Sequence, residues 1–363
     1  MDYIEAIKTA ALIFPFVALL FTIPFILNQY HKYGSINKLR SVIIYSFILY
    51  MITIYFLVIL PLPSKEYVRS LTTAKYNLIP FSFITDFIKE SSFVITDPKT
   101  YLEAFLHPSF YTIILNIIMF VPFGMYLRYY FKCSFKKTLL LSFLLSLFFE
   151  LTQASGLYGI YSRPYRLFDV NDLMINTLGG IIGYFIVGLF KKVLPSRNKI
   201  DEDSLTKGTK VSGLRRITLF ISDLIMYLFI TLLFSLIIKR TYLKYVIFII
   251  YYVIIPYLFD GVTIMGKFLN VKLEFENKRL LMITLRVIFL FFYYFIFPFL
   301  ALFILSLIKN YISFTIVIFL IILFLIMLFY ILNVIIILKD KVIFYDKIFK
   351  VKYVSLIRYE KQK

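Results

Sequence analysis

The chain has 363 residues, of which 61% are hydrophobic and only 17% charged, and its formal net charge is +20. An average soluble domain has about 25% charged residues, so this composition excludes a soluble protein and indicates a polytopic membrane protein. The basic residues cluster in short loops between apolar runs, as the positive-inside rule describes, and the net charge therefore does not indicate nucleic-acid binding. A single cysteine, Cys133, excludes an intrachain disulfide.

Nine apolar runs approach or exceed the roughly 20 residues that cross a bilayer. Open sheets and loops cannot face lipid, so helices are the expected conformation. We predict an all-α, polytopic helical membrane protein with about nine transmembrane helices in two bundles. The predicted spans are 10–28, 41–60, 109–128, 138–157, 172–190, 217–238, 244–259, 280–307 and 314–338. The first span lacks a small-x-small exit and is predicted to be retained.

A polar stretch divides the spans into two groups. Residues 191–213 alternate in charge and contain Pro195, Gly208 and Gly213, which is linker composition. The predicted domains are a five-helix membrane domain at 1–190, a polar cytoplasmic linker at 191–213, a four-helix membrane domain at 214–340 and a basic cytoplasmic tail at 341–363.

The basic loops predict the orientation in the plasma membrane. The loop around residues 31–40 and the loop at 128–137 are basic and are predicted to be cytoplasmic. Segment 61–108 balances its charges, which suits the outside. The N-terminus is therefore predicted to lie outside, and the linker and the C-terminal tail inside. The loop at 239–244 is an exception, because it is basic and would lie outside.

Polar side chains of three predicted helices converge near the outer surface. With a rise of 1.5 Å per residue, Glu150 and Asn116 lie about 10 Å below that surface and Asn176 about 6 Å below it. Ionisable groups at this depth are costly and usually functional. The predicted ligand-binding residues are Asn77, Asn116, Glu150, Gln153, Arg163, Arg166, Asp169, Asp172 and Asn176.

Two arginines, Arg163 and Arg166, are predicted to lie in the outer loop above these groups. Guanidinium groups match phosphate geometry well, which favours an outward-open pocket for an anionic head group. Alternatively, the arginines neutralise the carboxylates and hold the bundle shut, while the amides bond between helices. In an enzyme, Glu150, Asp169 and Asp172 would be the catalytic acid and base, and they could also hold a divalent cation.

Short motifs follow one another in a characteristic order within residues 10–190: NLIPFS, NIIMFVPFG, E-x-x-Q and R…D-x-x-D-x-x-x-N-x-x-G-G. This order resembles that of the VanZ family of Gram-positive membrane proteins. The resemblance implies a cell-envelope protein associated with low-level resistance to teicoplanin, a lipid-bearing glycopeptide that acts at the outer face. The corresponding positions are Asn77, Pro80, Asn116, Pro122, Gly124, Glu150, Gln153, Arg163 or Arg166, Asp169, Asp172, Asn176 and Gly179.

Two ionisable residues, Asp223 and Arg286, lie inside predicted spans of the second half. Both spans enter from the cytoplasmic side, so both residues reach a depth of roughly 9–10 Å. Neither would easily stay unpaired in lipid. We therefore predict that they form a buried charge pair.

A loop with the pattern G-x-T-x-x-G-K follows Asp260. It lacks the spacing of a phosphate loop and has Phe268 where Ser or Thr is needed, so nucleotide binding is not predicted. Together with Arg216 and Asp223, the loop and Asp260 resemble the RDD family of membrane domains over about residues 213–340, although the usual family loop is one residue shorter. That resemblance implies transport of ions or solutes.

Three functions remain open from the sequence. The first is binding of a lipid-linked or lipid-bearing anionic ligand in an outward pocket. The second is an integral-membrane enzyme that acts on such a head group, and the third is a transporter that uses the buried charges of the second half. The predicted partners are a membrane lipid, a lipid-linked cell-wall precursor or a lipoglycopeptide. No cofactor is predicted apart from the divalent cation considered above, and with two histidines no histidine-based metal site is predicted.

Overall fold

The computed structural model describes residues 3–190, 194–276, 279–308 and 315–359. These residues are predominantly helical, which confirms the predicted all-α fold class. The chain divides into two compact units. The first comprises Met1–Phe21 and Lys38–Ile200, and the second comprises Thr22–Asn37 and Asp201–Lys363.

The first unit begins with part of helix α1 and continues, among the described residues, through eight further α-helices, a 3-10 turn at Pro98–Thr100 and two short strands. The helical segments are α1 (Tyr3–Tyr33), α2 (Lys38–Ile59), α3 (Lys65–Ser70), α4 (Ser82–Glu90), α5 (Tyr101–Phe105), α6 (Pro108–Tyr129), α7 (Phe135–Ala154), the single turn α8 (Gly156–Gly159) and α9 (Val170–Leu189). Strands β1 (Tyr76–Asn77) and β2 (Phe168–Asp169) pair in parallel, which places Asn77 opposite Asp169.

Small residues allow α9 to approach its neighbours closely. A Cβ atom on Gly183 would overlap the carbonyl oxygen of Val121 in α6, and one on Gly180 would overlap the hydroxyl group of Ser142 in α7. Such contacts are the usual way in which helices associate in a membrane, because lipid leaves no hydrophobic driving force between them. Helices α6, α7 and α9 therefore form the centre of the first unit.

The second unit contains α10 (Arg197–Gly208), inside which the boundary between the two units falls, and eight further helices. These are α11 (Gly213–Ile237), α12 (Leu243–Ile249), α13 (Ile255–Leu258), α14 (Ile264–Phe268), α15 (Arg279–Phe291), α16 (Phe297–Ile308), α17 (Thr315–Leu338) and α18 (Phe344–Ile348). Single π-helical segments at Ile250–Ile254 and Phe292–Ile296 join α12 to α13 and α15 to α16. Strands β3 (Val271–Phe275) and β4 (Val351–Ser355) pair antiparallel, with Leu273 opposite Tyr353.

Seven helices of the described residues are long and apolar enough to cross a membrane. They correspond to seven of the nine predicted spans. The other two predicted spans, 138–157 and 244–259, correspond to α7 and to the shorter apolar helix Leu243–Leu258. The chain is therefore a membrane-embedded helical protein.

Two segments that we predicted from composition as a linker and a tail contain regular structure. Residues 197–208 of the predicted linker form α10, because Ile200 and Ser204 share one buried face of this otherwise polar helix. Residues 344–355 of the predicted tail form α18 and β4, since Tyr345, Asp346 and Val351 are buried in the second unit. Residues 191–193 and 360–363 of these two segments lie outside the described residues.

Candidate functional site

The polar residues of α7 lie on one buried face. Ser146, Glu150 and Gln153 follow the helical repeat and are all buried, with Glu150 only 3% exposed. This face turns toward α9 and the loop that precedes it, where Asp169 and Asp172 lie. The sequence prediction that these groups are neighbours agrees with the geometry.

Asp169 connects three parts of the first unit. Its backbone N–H donates to Oε2 of Glu150 at 3.0 Å. Its Oδ1 accepts from the backbone N–H of Asn171 at 2.8 Å, so that Asp169 caps the N-terminus of α9. Its Oδ2 accepts from Nδ2 of Asn77 at 3.2 Å, a contact that the pairing of β1 with β2 makes possible.

A second set of contacts links α6, α7 and α9. Asn116 donates from Nδ2 to Oδ1 of Asp172 at 3.0 Å. Asn176 donates from Nδ2 to the hydroxyl group of Ser146 at 2.9 Å, and that hydroxyl group lies 3.3 Å from the carbonyl oxygen of Asp172. In the described part of the chain, Oδ1 of Asn176 is buried without a hydrogen-bond partner.

We call Asn77, Asn116, Glu150, Asp169 and Asp172 the acidic network. Its three carboxyl groups interact electrostatically with one another, and the charge of Arg166 acts on Glu150 and Asp172. The amides of Asn77 and Asn116 and the backbone N–H of Asp169 supply its hydrogen-bond donors.

The two arginines contact the main chain at the end of α2 and in the segment that follows it. Arg166 donates to the carbonyl oxygens of Val58 and Leu60, both at 2.7 Å. Arg163 donates to the carbonyl oxygens of Leu71 and Thr73. Their guanidinium groups therefore fix the end of α2 and the loop after it, a role that the sequence did not suggest.

Gln153 has the same role, because its Nε2 donates to the carbonyl oxygen of Val58 at 3.0 Å. Tyr165 lies in the same loop as the arginines and is buried against Ile59 and Val68. Burial raises the pKa of Tyr165 to about 12, although the nearby charge of Arg166 opposes this rise. Tyr165 is therefore a neutral group at neutral pH.

Three residues next to the acidic network were missing from the predicted site. Asn171 donates from Nδ2 to Oδ1 of Asp169, to the hydroxyl group of Ser82 and to the carbonyl oxygen of Ile79. Ser82 also accepts from Asn77, and Ser146 bridges to Asn176 as described above. The position of Ser146 one turn before Glu150 could have indicated its role, whereas nothing local in the sequence indicates the role of Ser82.

The residues present do not form an obvious metal site. Within the described residues, no group of three or more His, Cys, Asp or Glu side chains is arranged to hold a metal ion. A divalent cation at the carboxylates of the first unit therefore stays a prediction.

An apolar groove of about 360 Å³ lies between α1 and α2 in the first unit. It follows one face of α2 and is lined by Ile13, Phe47, Ile48, Met51, Ile52, Tyr55 and Phe56. Its end at Tyr55 and Phe56 lies within one helical turn of Val58, whose carbonyl group Arg166 and Gln153 bind.

The predicted pair between Asp223 and Arg286 is wrong, because each side chain has other partners. Asp223 accepts hydrogen bonds from the hydroxyl groups of Tyr251 at 2.6 Å and Thr263 at 2.8 Å, and from a backbone N–H. Arg286 pairs with Asp346 at 3.2 Å. Equal depth in the membrane did not place the two side chains on facing sides of their helices.

The other charged positions of the second unit also differ in their surroundings. Asp260 is exposed and pairs with Lys272 and Arg279. Arg216 lies 3.8 Å from Asp346 and donates to the carbonyl oxygen of Lys341. The most buried arginine of the unit is instead its neighbour Arg215, which donates to several backbone carbonyl groups around α10 and β3.

Comparison with known proteins concerns the first unit. Residues 47–191, less than half of the chain, match the family model described as VanZ/LLP1. No curated protein and no solved structure matches the chain. The matched region runs from α2 to the end of α9 and contains the whole acidic network, so the N-terminal half of this membrane protein is VanZ-like.

Proposed function

We propose that this protein acts in the cell envelope, and that its acidic network binds the polar head of a lipid-linked or lipid-bearing ligand. At the level of the family, a VanZ-like domain links the protein to glycopeptide resistance. Teicoplanin-type resistance would be the biological effect of this binding. The basic loops predict that the acidic network lies at the outer face of the membrane, where lipid-linked wall precursors and lipoglycopeptides are found.

The observation that carries the proposal is the gathering of Glu150, Asp169 and Asp172 at the end of a membrane bundle. Within the described residues, the groups of Asn77, Asn116, Asn171 and the backbone that donate hydrogen bonds to them are uncharged, and the charge of Arg166 acts from nearby. Three neighbouring carboxylates repel one another, and this repulsion is costly where little water screens it. A ligand that donates hydrogen bonds or carries positive charge would relieve this cost.

The contacts of the arginines refine the kind of head group. An anionic ligand was predicted from Arg163 and Arg166, whose guanidinium groups donate to carbonyl oxygens. The carboxylates and amides are therefore the better candidates for recognition. They suit hydroxyl and amine donors, such as those of the sugars and peptides that lipid-linked precursors and lipoglycopeptides carry.

The apolar groove between α1 and α2 is a suitable binding site for the lipid part of the ligand. Its lining residues, Ile48 and Ile52 among them, offer hydrocarbon contacts, and the groove is formed by two membrane helices. Since one end of the groove lies near Val58, an acyl chain within it would direct its head group toward the loop that Arg166 fixes.

The test combines protection of cells with direct binding. Glu150→Gln and Asp172→Asn remove charge with little change in shape. Each should lower the affinity of the purified protein for a fluorescent lipoglycopeptide by about tenfold or more, as expected for a lost hydrogen bond to a charged group. Protection of a teicoplanin-susceptible host should fall in parallel. Glu103→Gln, which changes an exposed carboxylate of the same unit, is the matched control and should leave both unchanged.

Two results would contradict the proposal. If both variants are produced at normal levels and bind and protect like the unchanged protein, the acidic network is not the binding site. If Glu150→Gln binds normally but no longer protects, the carboxylate takes part in a reaction, and the protein is an enzyme of the kind that we considered from the sequence.

A further inference from the structure

The second unit contains two copies of one structural segment. At a constant offset in numbering, Asp260 corresponds to Asp340, and four pairs of residues after them are identical. These pairs are Val262 and Val342, Lys267 and Lys347, Val271 and Val351, and Lys272 and Lys352.

The structure repeats at the same offset. Helix α13 ends at Leu258 and α17 ends at Leu338, and the short helices α14 and α18 follow after equal intervals. Asp260 and Asp340 both have positive φ, and so do Asn270 and Lys350 in the turns before the strands. The backbone bond that closes α14 and the one that closes α18 also join corresponding residues.

Strand pairing relates the two copies by an approximate two-fold axis. Leu273 and Tyr353 are corresponding residues, and they lie opposite each other in the antiparallel pair of β3 and β4. The helices follow the same symmetry, because α11 packs on α17 while α15 packs on α13. In each copy a pair of apolar helices precedes the short helix, and since the sequence predicts that both pairs cross the membrane, both short helices are expected at the same face.

The two short helices expose the same kinds of side chain. Ile264 and Phe268 of α14 are each 39% exposed, and their counterparts Phe344 and Ile348 of α18 are 45% and 59% exposed. In both helices an exposed lysine, Lys267 or Lys347, lies between them. Phe268 also stacks on His31, at 4.3 Å between ring centroids, so this ring is covered on one side.

This pattern of exposed apolar side chains and lysines suits the surface of a lipid bilayer. Helix α14 begins shortly after the apolar helix Leu243–Leu258, and α18 begins shortly after the membrane-spanning helix α17, which puts both close to the predicted lipid–water boundary. Apolar side chains at that depth contact acyl chains, and lysines extend toward phosphate groups. Anionic lipid attracts such basic segments more strongly than zwitterionic lipid does. Because the same pattern occurs twice in corresponding places, it is a property of the repeated segment rather than of one irregular loop.

We propose that α14 and α18 are two equivalent interfacial helices, each of which binds the surface of the bilayer and the head groups of anionic lipids through Lys267 and Lys347. The occupant of this surface is lipid, since the exposed apolar side chains flank the lysines. The proposal does not depend on the function of the acidic network, which lies in the other unit.

The chain has no tryptophan, so introduced tryptophans are unique reporters. Phe268→Trp and Ile348→Trp are placed separately in the full-length protein, which is reconstituted in vesicles of phosphatidylcholine and phosphatidylglycerol with brominated acyl chains. Fluorescence of both should be quenched, while that of Asp203→Trp on the polar helix α10 should not. Where either variant fails to fold, Ile264→Trp and Phe344→Trp report on the same two surfaces.

Recognition of anionic lipid is tested with a charge variant. The double variant Lys267→Gln and Lys347→Gln should lose most of the preference for phosphatidylglycerol over phosphatidylcholine in lipid-binding measurements. The double variant Lys207→Gln and Lys210→Gln removes the same amount of charge from exposed positions elsewhere. It should retain the preference for phosphatidylglycerol.

Three results would overturn the proposal. The first is absence of quenching at either of the two positions. The second is an unchanged lipid preference in the Lys267 and Lys347 double variant. The third is loss of the preference when soluble glycerol phosphate is added at the same concentration as the lipid, because the site would then recognise a free phosphate group rather than a lipid surface.

Discussion

Glu150 and Arg286 show how a buried ionisable side chain can be held in two different ways. Glu150 accepts a hydrogen bond from a backbone N–H and has other carboxyl groups as its neighbours. Arg286 has a partner of opposite charge in Asp346 and a further acceptor in the hydroxyl group of Tyr353. In the first arrangement carboxyl groups lie beside one another with the charge of Arg166 nearby, and in the second a guanidinium group contacts a carboxylate directly.

The partnership of Arg286 with Asp346 leads to a prediction about stability. Arg286→Met should lower the free energy of unfolding by about 3–5 kcal/mol, because Asp346 is left buried and loses its closest cation. Burial raises the pKa of Asp346, and the charges of Arg286 and Arg216 oppose that rise. The double variant Arg286→Met and Asp346→Leu should recover most of the lost stability.

Denaturant or thermal unfolding of the purified protein in detergent measures this difference. Lys350→Met is the control, because Lys350 and Glu276 form an exposed pair at 3.9 Å, and its effect should stay within about 0.5 kcal/mol. If the double variant is as unstable as Arg286→Met alone, the stability lost in Arg286→Met does not come from breaking the ion pair with Asp346.

At the scale of helices, close packing of α6 with α9 brings Asn116 to Asp172. Gly183 and Gly179 lie against the carbonyl groups of Val121 and Ile117, so no side chain separates the two helices. The position of Asn116 beside the start of α9 follows from this approach. The depths calculated from helical rise did not predict this contact, because Asp172 begins its predicted span and would lie about 10 Å above Asn116.

Gly183→Ala should therefore lower the free energy of unfolding by about 1–3 kcal/mol, as overpacking usually does. Gly188→Ala on the same helix should have a smaller effect, because the nearest atom to its new methyl group is the flexible end of Arg128 at 3.2 Å. The same unfolding assay in detergent compares the two. Equal effects would show that the folded protein in detergent lacks a tight contact between the backbone of Gly183 and α6.

Other contacts between elements could not be predicted from residue numbers. The prediction for Asp223 and Arg286 used depth, but pairing also requires that two side chains point toward each other around their helix axes. That direction depends on which helices are neighbours, and Arg286 faces α18 instead. Likewise, the carbonyl groups that Arg163 and Arg166 bind belong to a segment about one hundred residues earlier in the chain.

At the scale of the whole molecule, orientation in the membrane is a prediction from charge. In a Cys133→Ala background, a cysteine at Lys99 should react with a membrane-impermeant maleimide in intact cells. A cysteine at Lys207 should react only after the cells are permeabilised. Both positions are exposed, so access across the membrane decides the result. The opposite pattern would place the acidic network at the cytoplasmic face and would remove the proposed ligand from its reach.

The sequence by itself determined the class of this protein, because an apolar composition with runs of membrane-spanning length has no stable solution other than packed helices. It also indicated several of the polar residues that meet near Glu150, Asp169 and Asp172 among them, since helical spacing orders residues along each axis. The tertiary structure decided which donors each carboxylate accepts from, that both arginines bind carbonyl groups, and that residues 344–355 fold against β3 as the counterpart of an earlier segment. These features depend on the direction of side chains around each helix and on contacts between distant segments, and neither is encoded in local spacing.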